Sequence, residues 1–397
     1  MYDAIVVGAR AAGSPTAMLL ARKGHRVLLL DRAEFPSDTL STHYIHQPGV
    51  ARLARWGLLD QVAASGCPPV REVIFDPGPF ALTGAPPPAD GYPDAYAPRR
   101  TVLDTILLEA AAAAGADVRT GFAVDELVFE DGTVVGVRSG EKIERAHVVV
   151  GADGRNSFVA RTVHAPKYEE HPASACAYYT YWAGVDGDAV ELCPREGRMI
   201  MGGASTNDGL KIVIIFWPND EFHAVRADIE HNFHDALTLA PHLADRLAQG
   251  ERADRFYGIA DLPFYYRKPF GPGWALVGDA GYHKDPITAQ GITDAFRDAE
   301  LLAHALDQGF TGQRALDHAL AEYERNRNEE TRPLYELTRD FATLAAPAPE
   351  QQALFAALRD QPDEVDQFLG TVVGTVPIAE FFAPHNLARI VGETVPA

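Results

Sequence analysis

Two acids, Asp153 and Asp279, stand just past a glycine at the end of an apolar run, in VVVGADGRNSFVAR (residues 148–161) and ALVGDAGYHKDPITAQGITDAF (residues 275–296). A third, Asp31, closes the run RVLLLD one helix after the turn Gly8-Ala9-Arg10-Ala11-Ala12-Gly13. Glycine lets a strand end come close to a ligand, and a carboxylate accepts hydrogen bonds from hydroxyl groups. A helix starting just beyond presents free N–H groups to phosphate. Three such strand ends suit one long ligand met at several points along the carboxyl edge of a sheet, and a dinucleotide has that length. The remainder of the third stretch, with His283, Lys284, Asp285 and Pro286 before Gln290-Gly291, reads as a loop shaped around a ligand, holding nothing that would help a core. Lys284 and Asp285 read as a solvated pair. His43, His46 and His283 are the ionisable residues closest to these motifs, each expected as a surface or structural histidine. No catalytic acid or base is assigned, and no residues show metal-ligand spacing.

These residues need elements to hold them. DAIVVG is a β-branched run of the kind buried on both faces, SPTAMLLARKGH has helical spacing, and RVLLLD is a second buried strand. Together they form a βαβ unit with a glycine-rich crossing, in which the helix N-terminus faces a pyrophosphate and Asp31 accepts from a ribose. Arg10 stands where the dinucleotide fingerprint has its second glycine, so its side chain must point away or reach over the ligand. A helix is expected from Pro48 and another over RRTVLDTILLEAAAAAGADV, ended by Gly115. Alternation around Asp131-Gly132 predicts a β-meander. Residues 68–98 are rich in Pro and Gly and resist assignment. ACAYYTYWAGV (175–185) and KIVIIFWP (211–218) read as strands joined through the turn-rich MGGASTNDG. Period two places Tyr179 and Tyr181 on one face and Tyr178 and Trp182 on the other. EYERNRNEETRPLYELTRD is expected as an exposed helix face, and residues 345–397 as a helical cap.

With 397 residues and 47% hydrophobic content the chain can bury a large core. A formal charge of −20 disfavours nucleic acid and anionic lipid. Three cysteines, Cys67, Cys176 and Cys193, are too few for a disulfide framework, which fits a reducing cytoplasm. No apolar run approaches the ~20 residues that span a bilayer. The expected fold class is α/β: a Rossmann-like domain with an inserted meander, interlocked with a β-sheet substrate domain and a helical C-terminus. The expected boundaries are 1–70, 99–170 and 270–330 for the dinucleotide domain, 71–98 and 171–269 for the substrate domain, and 331–397 for the helical segment.

In the order glycine-rich turn, Asp31, Arg100, GADG and GDAGYHKDPITAQG, the sequence over about residues 1–330 resembles the FAD-dependent aromatic hydroxylase family. These are the single-component flavoprotein monooxygenases, and their wider superfamily holds flavin halogenases and geranylgeranyl reductases. The resemblance implies FAD, with Asp31 on the adenosine ribose and Arg100 near the ribityl or pyrophosphate. Asp153 matches the acid of the family's Asp-Gly motif, and Asp279 the acid holding the ribityl chain. Gly278 would let the strand end approach the cofactor, and Pro286 would fix a bend beside the isoalloxazine. The helix at Gln290-Gly291 would turn its positive end toward the flavin pyrimidine. Gly8, Ala12, Gly13, Arg32, Val124 and Ile292 complete the implied FAD contacts, and the sheet carrying Tyr179 and Tyr181 would roof the flavin.

The implied activity is hydroxylation of a small aromatic or polyketide-like substrate. NAD(P)H would reduce the flavin, oxygen would add at C4a, and the hydroperoxide would deliver one atom. The halogenase signature Trp-x-Trp-x-x-Ile-Pro is absent, since Trp56, Trp182, Trp217 and Trp274 are far apart. An alkene reductase of the geranylgeranyl type and a non-enzymatic flavin-binding module remain as alternatives. Substrate identity and oligomeric state are open.

Overall fold

The computed structural model describes residues 1–392. Strand Tyr2–Val7 runs through the middle of the first sheet, which is why it is continuously apolar. The sheet order is Phe270–Gly271, Trp274–Leu276, Lys142–Gly151, Tyr2–Val7, Val27–Leu30, Asp117–Arg119. The four pairings from Trp274–Leu276 to Asp117–Arg119 are parallel. One face, with Ala4, Val6, Leu29 and Val150, packs on helices Gly13–Arg22, Arg100–Ala113 and Gly291–Phe310. The other, with Ile5, Leu28, Leu30 and Val149, packs on Leu127, Val134, Val137 and Val159.

The meander forms as its pattern predicts, from Glu126–Glu130, Thr133–Ser139 and Lys142–Gly151. Lys142–Gly151 serves two sheets in succession: residues 142–145 pair with the meander, and residues from Ala146 on join the parallel sheet. Its sequence changes accordingly, from exposed KIER to buried VVV.

A second eight-stranded sheet is built around Ala175–Ala183 and Leu210–Pro218, paired antiparallel in full register. MGGAS proves to be strand, within Arg198–Ser205, because a bulge between Met201 and Ala204 absorbs its glycines. The unassigned stretch 68–98 supplies Val73–Phe75 and Leu82–Gly84 at the edge of the same sheet. Tyr178, Trp182 and Trp217 face helices carrying Phe233 and Leu243, while Tyr179, Tyr181, Ile212 and Ile214 face the interior between the sheets.

Helix Leu316–Ala342 is only partly the exposed helix expected. Tyr323, Arg327, Thr331, Tyr335 and Thr338 are buried along one side, and the Arg327 guanidinium is held there by the carbonyls of Gly281 and Arg267 at 3.0 and 3.1 Å. Helices Pro349–Leu358 and Pro362–Val373 then close over the second sheet. Phe355 and Phe368 meet Phe75 edge-on at 5.1 and 5.3 Å, an arrangement favoured by the ring quadrupoles. No helix among the described residues is long and apolar enough to cross a membrane.

Candidate flavin and substrate site

The strands ending at Val7, Gly151 and Leu276 are neighbours, so the three glycine-bearing ends converge on one edge. They converge closely. A Cβ on Gly8, whose φ is +105°, would lie 2.4 Å from the Ala152 carbonyl oxygen, and one on Gly278, at φ +59°, would lie 2.8 Å from the Ala12 Cβ. Glycine at these positions is a packing requirement between motifs as well as a conformational one.

The acids differ in their local bonding. Asp31 is buried and accepts N–H bonds from Ala9 at 2.7 Å and Ala33 at 2.8 Å, tying the glycine-rich turn to the second strand. Oδ2 of Asp153 caps the short helix Phe158–Thr162 through the Phe158 and Val159 N–H groups, while its buried Oδ1 has no partner among the described residues. Asp279 is exposed, and no side-chain hydrogen bond or ion pair to its carboxylate occurs among the described residues. Arg100 is buried against Asp104, at 2.9 Å. Arg10 is accounted for by the same acid: it turns away from the turn and reaches Asp104 at 2.7 Å and the Ser37 hydroxyl at 2.8 Å.

Gln290 and Gly291 open helix Gly291–Phe310 with no capping side chain, and a Cβ on Gly291 would meet nothing within 4 Å. That first turn therefore offers free N–H groups to open space. Gly13 begins its helix in the same uncapped way from Ala12. Ile292 is buried beneath the Gly291 turn. Arg32 is exposed beyond Asp31, and Val124 is half-buried in the segment leading to the meander. An unpaired acid oxygen, a free carboxylate and two uncapped helix starts along one sheet edge fit a dinucleotide with hydroxyl-rich and phosphate parts.

The stretch after Gly278 departs from the expected solvent-facing loop. Tyr282–His283 is a short strand pairing with Tyr265 and Tyr266, and residues 282–285 are all buried. Lys284 and Asp285 are not a solvated pair. Lys284 lies 2.8 Å from Asp294, which also binds Arg297, itself on Asp298 at 2.7 Å. Burial lowers the Lys284 pKa against the pull of Asp294. Asp285 caps the turn Pro286–Thr288 through the Ile287 N–H, and burial raises its pKa to about 7. The chain reversals on either side place these groups inside.

All three histidines are buried. His43, at φ +61°, bonds the Tyr181 hydroxyl at 2.5 Å, and burial followed by the charges of Arg100 and Arg99 lowers its pKa to about 3. His283 bonds the Pro263 carbonyl at 2.6 Å. His46 bonds the Thr288 carbonyl at 3.0 Å.

Beside the Pro286–Thr288 turn lies an apolar pocket of about 50 Å³. The second sheet contributes Val73, Val190, Met201, Ile212 and Ile214; the turn contributes Ile287, Thr288 and Ala289; the C-terminal cap contributes Leu369, Val372 and Val373. The Gln290 side chain donates to the Val372 carbonyl at 2.9 Å, which joins the helix start to the cap. Sequence reading placed 71–98 with the substrate domain and 345–397 as a cap but named no residue of either as lining a pocket, because neither carries a motif. Asp104 was legible in principle, four residues after Arg100 on one helix face.

Residues 1–256 match the family described as FAD binding domain. Over 330 residues the chain is 26% identical to the 1H-pyrrole-2-carbonyl-[peptidyl-carrier protein] brominase of Pseudoalteromonas luteoviolacea (strain 2ta16), covering 78% of each. In fold it is similar to the myxobacterial chondrochloren halogenase CndH, an FAD-dependent halogenase (TM-score 0.79, 23% identity, 100% of this chain and 98% of that one). It is also similar to PqsL of Pseudomonas aeruginosa, described as a probable FAD-dependent monooxygenase (TM-score 0.72, 22% identity, 93% and 99%). The chain belongs to the FAD binding domain family, in the broad group of flavoproteins that holds aromatic hydroxylases and halogenases.

Proposed function

We propose that the chain is an FAD-dependent monooxygenase that uses NAD(P)H and dioxygen to hydroxylate a small aromatic or polyketide-like molecule. The observation that carries this reading is the position of the apolar pocket: it shares the turn 286–289 with the uncapped start of helix Gly291–Phe310. Bound FAD would supply the oxygen-activating chemistry. The protein's part is to hold, orient and shield. Asp31, Asp153 and Asp279 would accept from the cofactor's hydroxyls, and the Ala12-Gly13 turn would face its phosphates. The Gly291 N-terminus would favour negative charge on the flavin ring. Residues 1–70, 99–170 and 270–330 would form the FAD domain, with 71–98 and 171–269 roofing the substrate and the segment from 331 excluding water; of that segment, assigned to 331–397, residues 393–397 lie outside the described residues.

Halogenation is the second reading, favoured by the brominase and halogenase likenesses. Against it stands the absence of the Trp-x-Trp-x-x-Ile-Pro signature. Turnover with ¹⁸O₂ and NAD(P)H in the presence of bromide separates the two. One labelled oxygen in the product supports hydroxylation, whereas a brominated, unlabelled product overturns it. Product formed anaerobically and carrying only added hydrogen would point to alkene reduction. Flavin that neither NADH nor NADPH reduces would remove the direct use of nicotinamide.

A further inference from the structure

The segment that enters helix Gln47–Arg55 sends successive side chains to opposite sides. Ile45 exchanges backbone hydrogen bonds with Tyr96 at 2.7 and 3.1 Å and packs into the core under the first sheet. Tyr44 and His46, its two neighbours, turn the other way and line the apolar pocket, as does Thr42. Tyr44 is 6% exposed, and its ring is held edge-on against His46 at 4.8 Å. Its hydroxyl makes no hydrogen bond among the described residues, and unlike the Tyr282 hydroxyl it is not sealed off. The open space against which Tyr44 stands is the pocket. Burial pushes the phenol's pKa above its ordinary value, so the O–H is intact near pH 7.

The polar side chains lining the pocket are Thr42, Tyr44, His46 and Thr288, and two of them are spent. His46 Nε2 donates to the Thr288 carbonyl at 3.0 Å, and its Nδ1 is sealed from the pocket. The Thr288 hydroxyl lies 2.8 Å from that of Thr338, whose own hydrogen goes to the Leu334 carbonyl, so the Thr288 hydrogen goes to Thr338. Thr42 is free as well, but it is only half-buried, so water can serve it. Tyr44 alone combines a free hydroxyl with near-complete burial, and a buried donor without an acceptor is costly until a ligand supplies one. No Lys, Arg, Asp or Glu lines the pocket, so an anion would lose its hydration and gain no cation. The pocket is also small: about 50 Å³ is a third of the ~150 Å³ cavity that takes benzene, so it admits a group of a few heavy atoms and leaves a ring at its mouth.

We propose that Tyr44 is the specificity-determining donor of the pocket, and that the substrate enters it with a short neutral acyl group whose carbonyl oxygen accepts from the Tyr44 hydroxyl, an aryl ketone being the simplest form. This rests on the reading of the pocket as the substrate site, and it names the substrate class of that site. The acyl carbon chain meets the apolar walls, the oxygen meets the one donor, and the direction of that hydrogen bond sets how the ring outside is turned.

The test is calorimetric titration of FAD-loaded wild type, Tyr44→Phe and Thr42→Val with acetophenone, its isostere α-methylstyrene, in which a methylene replaces the carbonyl oxygen, and benzoate. Because the alkene is the more apolar probe, the informative quantity is the ratio of the two neutral probes' dissociation constants and its change between proteins. Tyr44→Phe should move that ratio roughly threefold to tenfold in the alkene's favour, as loss of one neutral hydrogen bond allows, without weakening the alkene. Thr42→Val should move it less than Tyr44→Phe does, and benzoate should bind wild type more weakly than acetophenone. The carbonyl stretch of ¹³C-labelled acetophenone bound to wild type should lie below its frequency in hexane, a reading that needs no variant to fold. A ratio unchanged in Tyr44→Phe, a larger change in Thr42→Val, benzoate bound as tightly as acetophenone, a hexane-like carbonyl stretch, or no binding of acetophenone at millimolar concentration overturns the proposal. No turnover is involved, so an unlabelled product in the ¹⁸O₂ experiment would end the hydroxylation reading and leave the ligand preference standing.

Discussion

Arg10 Nη1 lies 2.7 Å from Asp104 Oδ2, and this pair explains how a long side chain occupies a position where the dinucleotide fingerprint has glycine. The guanidinium leaves the glycine-rich turn and docks on the helix that also carries Arg100, whose Nη2 lies 2.9 Å from the other oxygen of the same acid. One carboxylate thus serves two cations and locks the first turn to helix Arg100–Ala113.

Asp104→Ala should therefore destabilise the protein by roughly 3 kcal/mol. That is the low end for a broken buried pair, because Arg10 is 25% exposed. The shift in the urea midpoint measures it. Flavin retention should fall in parallel, since the turn is no longer tied down.

Asp279→Ala should behave differently, because the acid is exposed and takes no part in the fold's own hydrogen bonding among the described residues. The melting temperature of the apoprotein should stay within a degree or two. The FAD dissociation constant, followed by flavin fluorescence, should rise roughly tenfold to a hundredfold, as expected when ligand hydroxyls lose a charged acceptor worth about 1.5 to 3 kcal/mol.

Gly278→Ala combines a left-handed backbone with a contact 2.8 Å from Ala12 Cβ. Gly154→Ala shares the first feature, at φ +76°, and meets nothing within 4 Å. Gly154→Ala should cost only the backbone penalty of about 1 kcal/mol. Gly278→Ala should cost more, and it should lower FAD occupancy by displacing the Ala12-Gly13 helix start. Comparing melting temperature and bound flavin for the two variants separates strain from the approach of one motif to another.

Asp285 sets a pH dependence whose sign is opposite to that of an ion-paired carboxylate. Its folded pKa is raised by burial to about 7 from 3.8. Below pH 4 it is protonated in both states and costs nothing. Between pH 4 and 7 the unfolded chain ionises while the folded one does not, so stability declines, and above pH 7 the full penalty is present. The penalty is on the order of 4 kcal/mol. Asp285→Asn should remove this decline, so that its stability relative to wild type rises between pH 4 and 7 in urea titrations. An unchanged difference across that window would show that the buried carboxyl does not titrate there.

The elements that hold the cofactor edge were legible because each is specified locally. DAIVVG, VVVG and ALVG are buried on both faces and so carry no alternation. Asp131-Gly132 matches a tight turn, at φ +47° and +78°. Pro48 and Gly115 mark helix ends through their own backbone limits. The two-residue period of a strand likewise assigned Tyr179 and Tyr181 to one face and Tyr178 and Trp182 to the other. MGGAS misled because glycine weighs toward turn until a partner strand and a bulge accommodate it.

What the sequence alone determined is the order of the motifs and the identity of the groups at each strand end, since backbone sterics and hydrophobic period act over a few residues. Only the tertiary structure decided which distant residues meet. Lys284 and Asp285 look solvated in the chain and are buried, because strand Tyr282–His283 pairs into a small sheet under helix Leu316–Ala342. The pocket takes its walls from residues near 73, 190, 212, 287 and 369, and no local pattern records that closeness. The burial of His46 is likewise a property of packing: its Nε2 meets the carbonyl of Thr288, 242 residues away, at 3.0 Å.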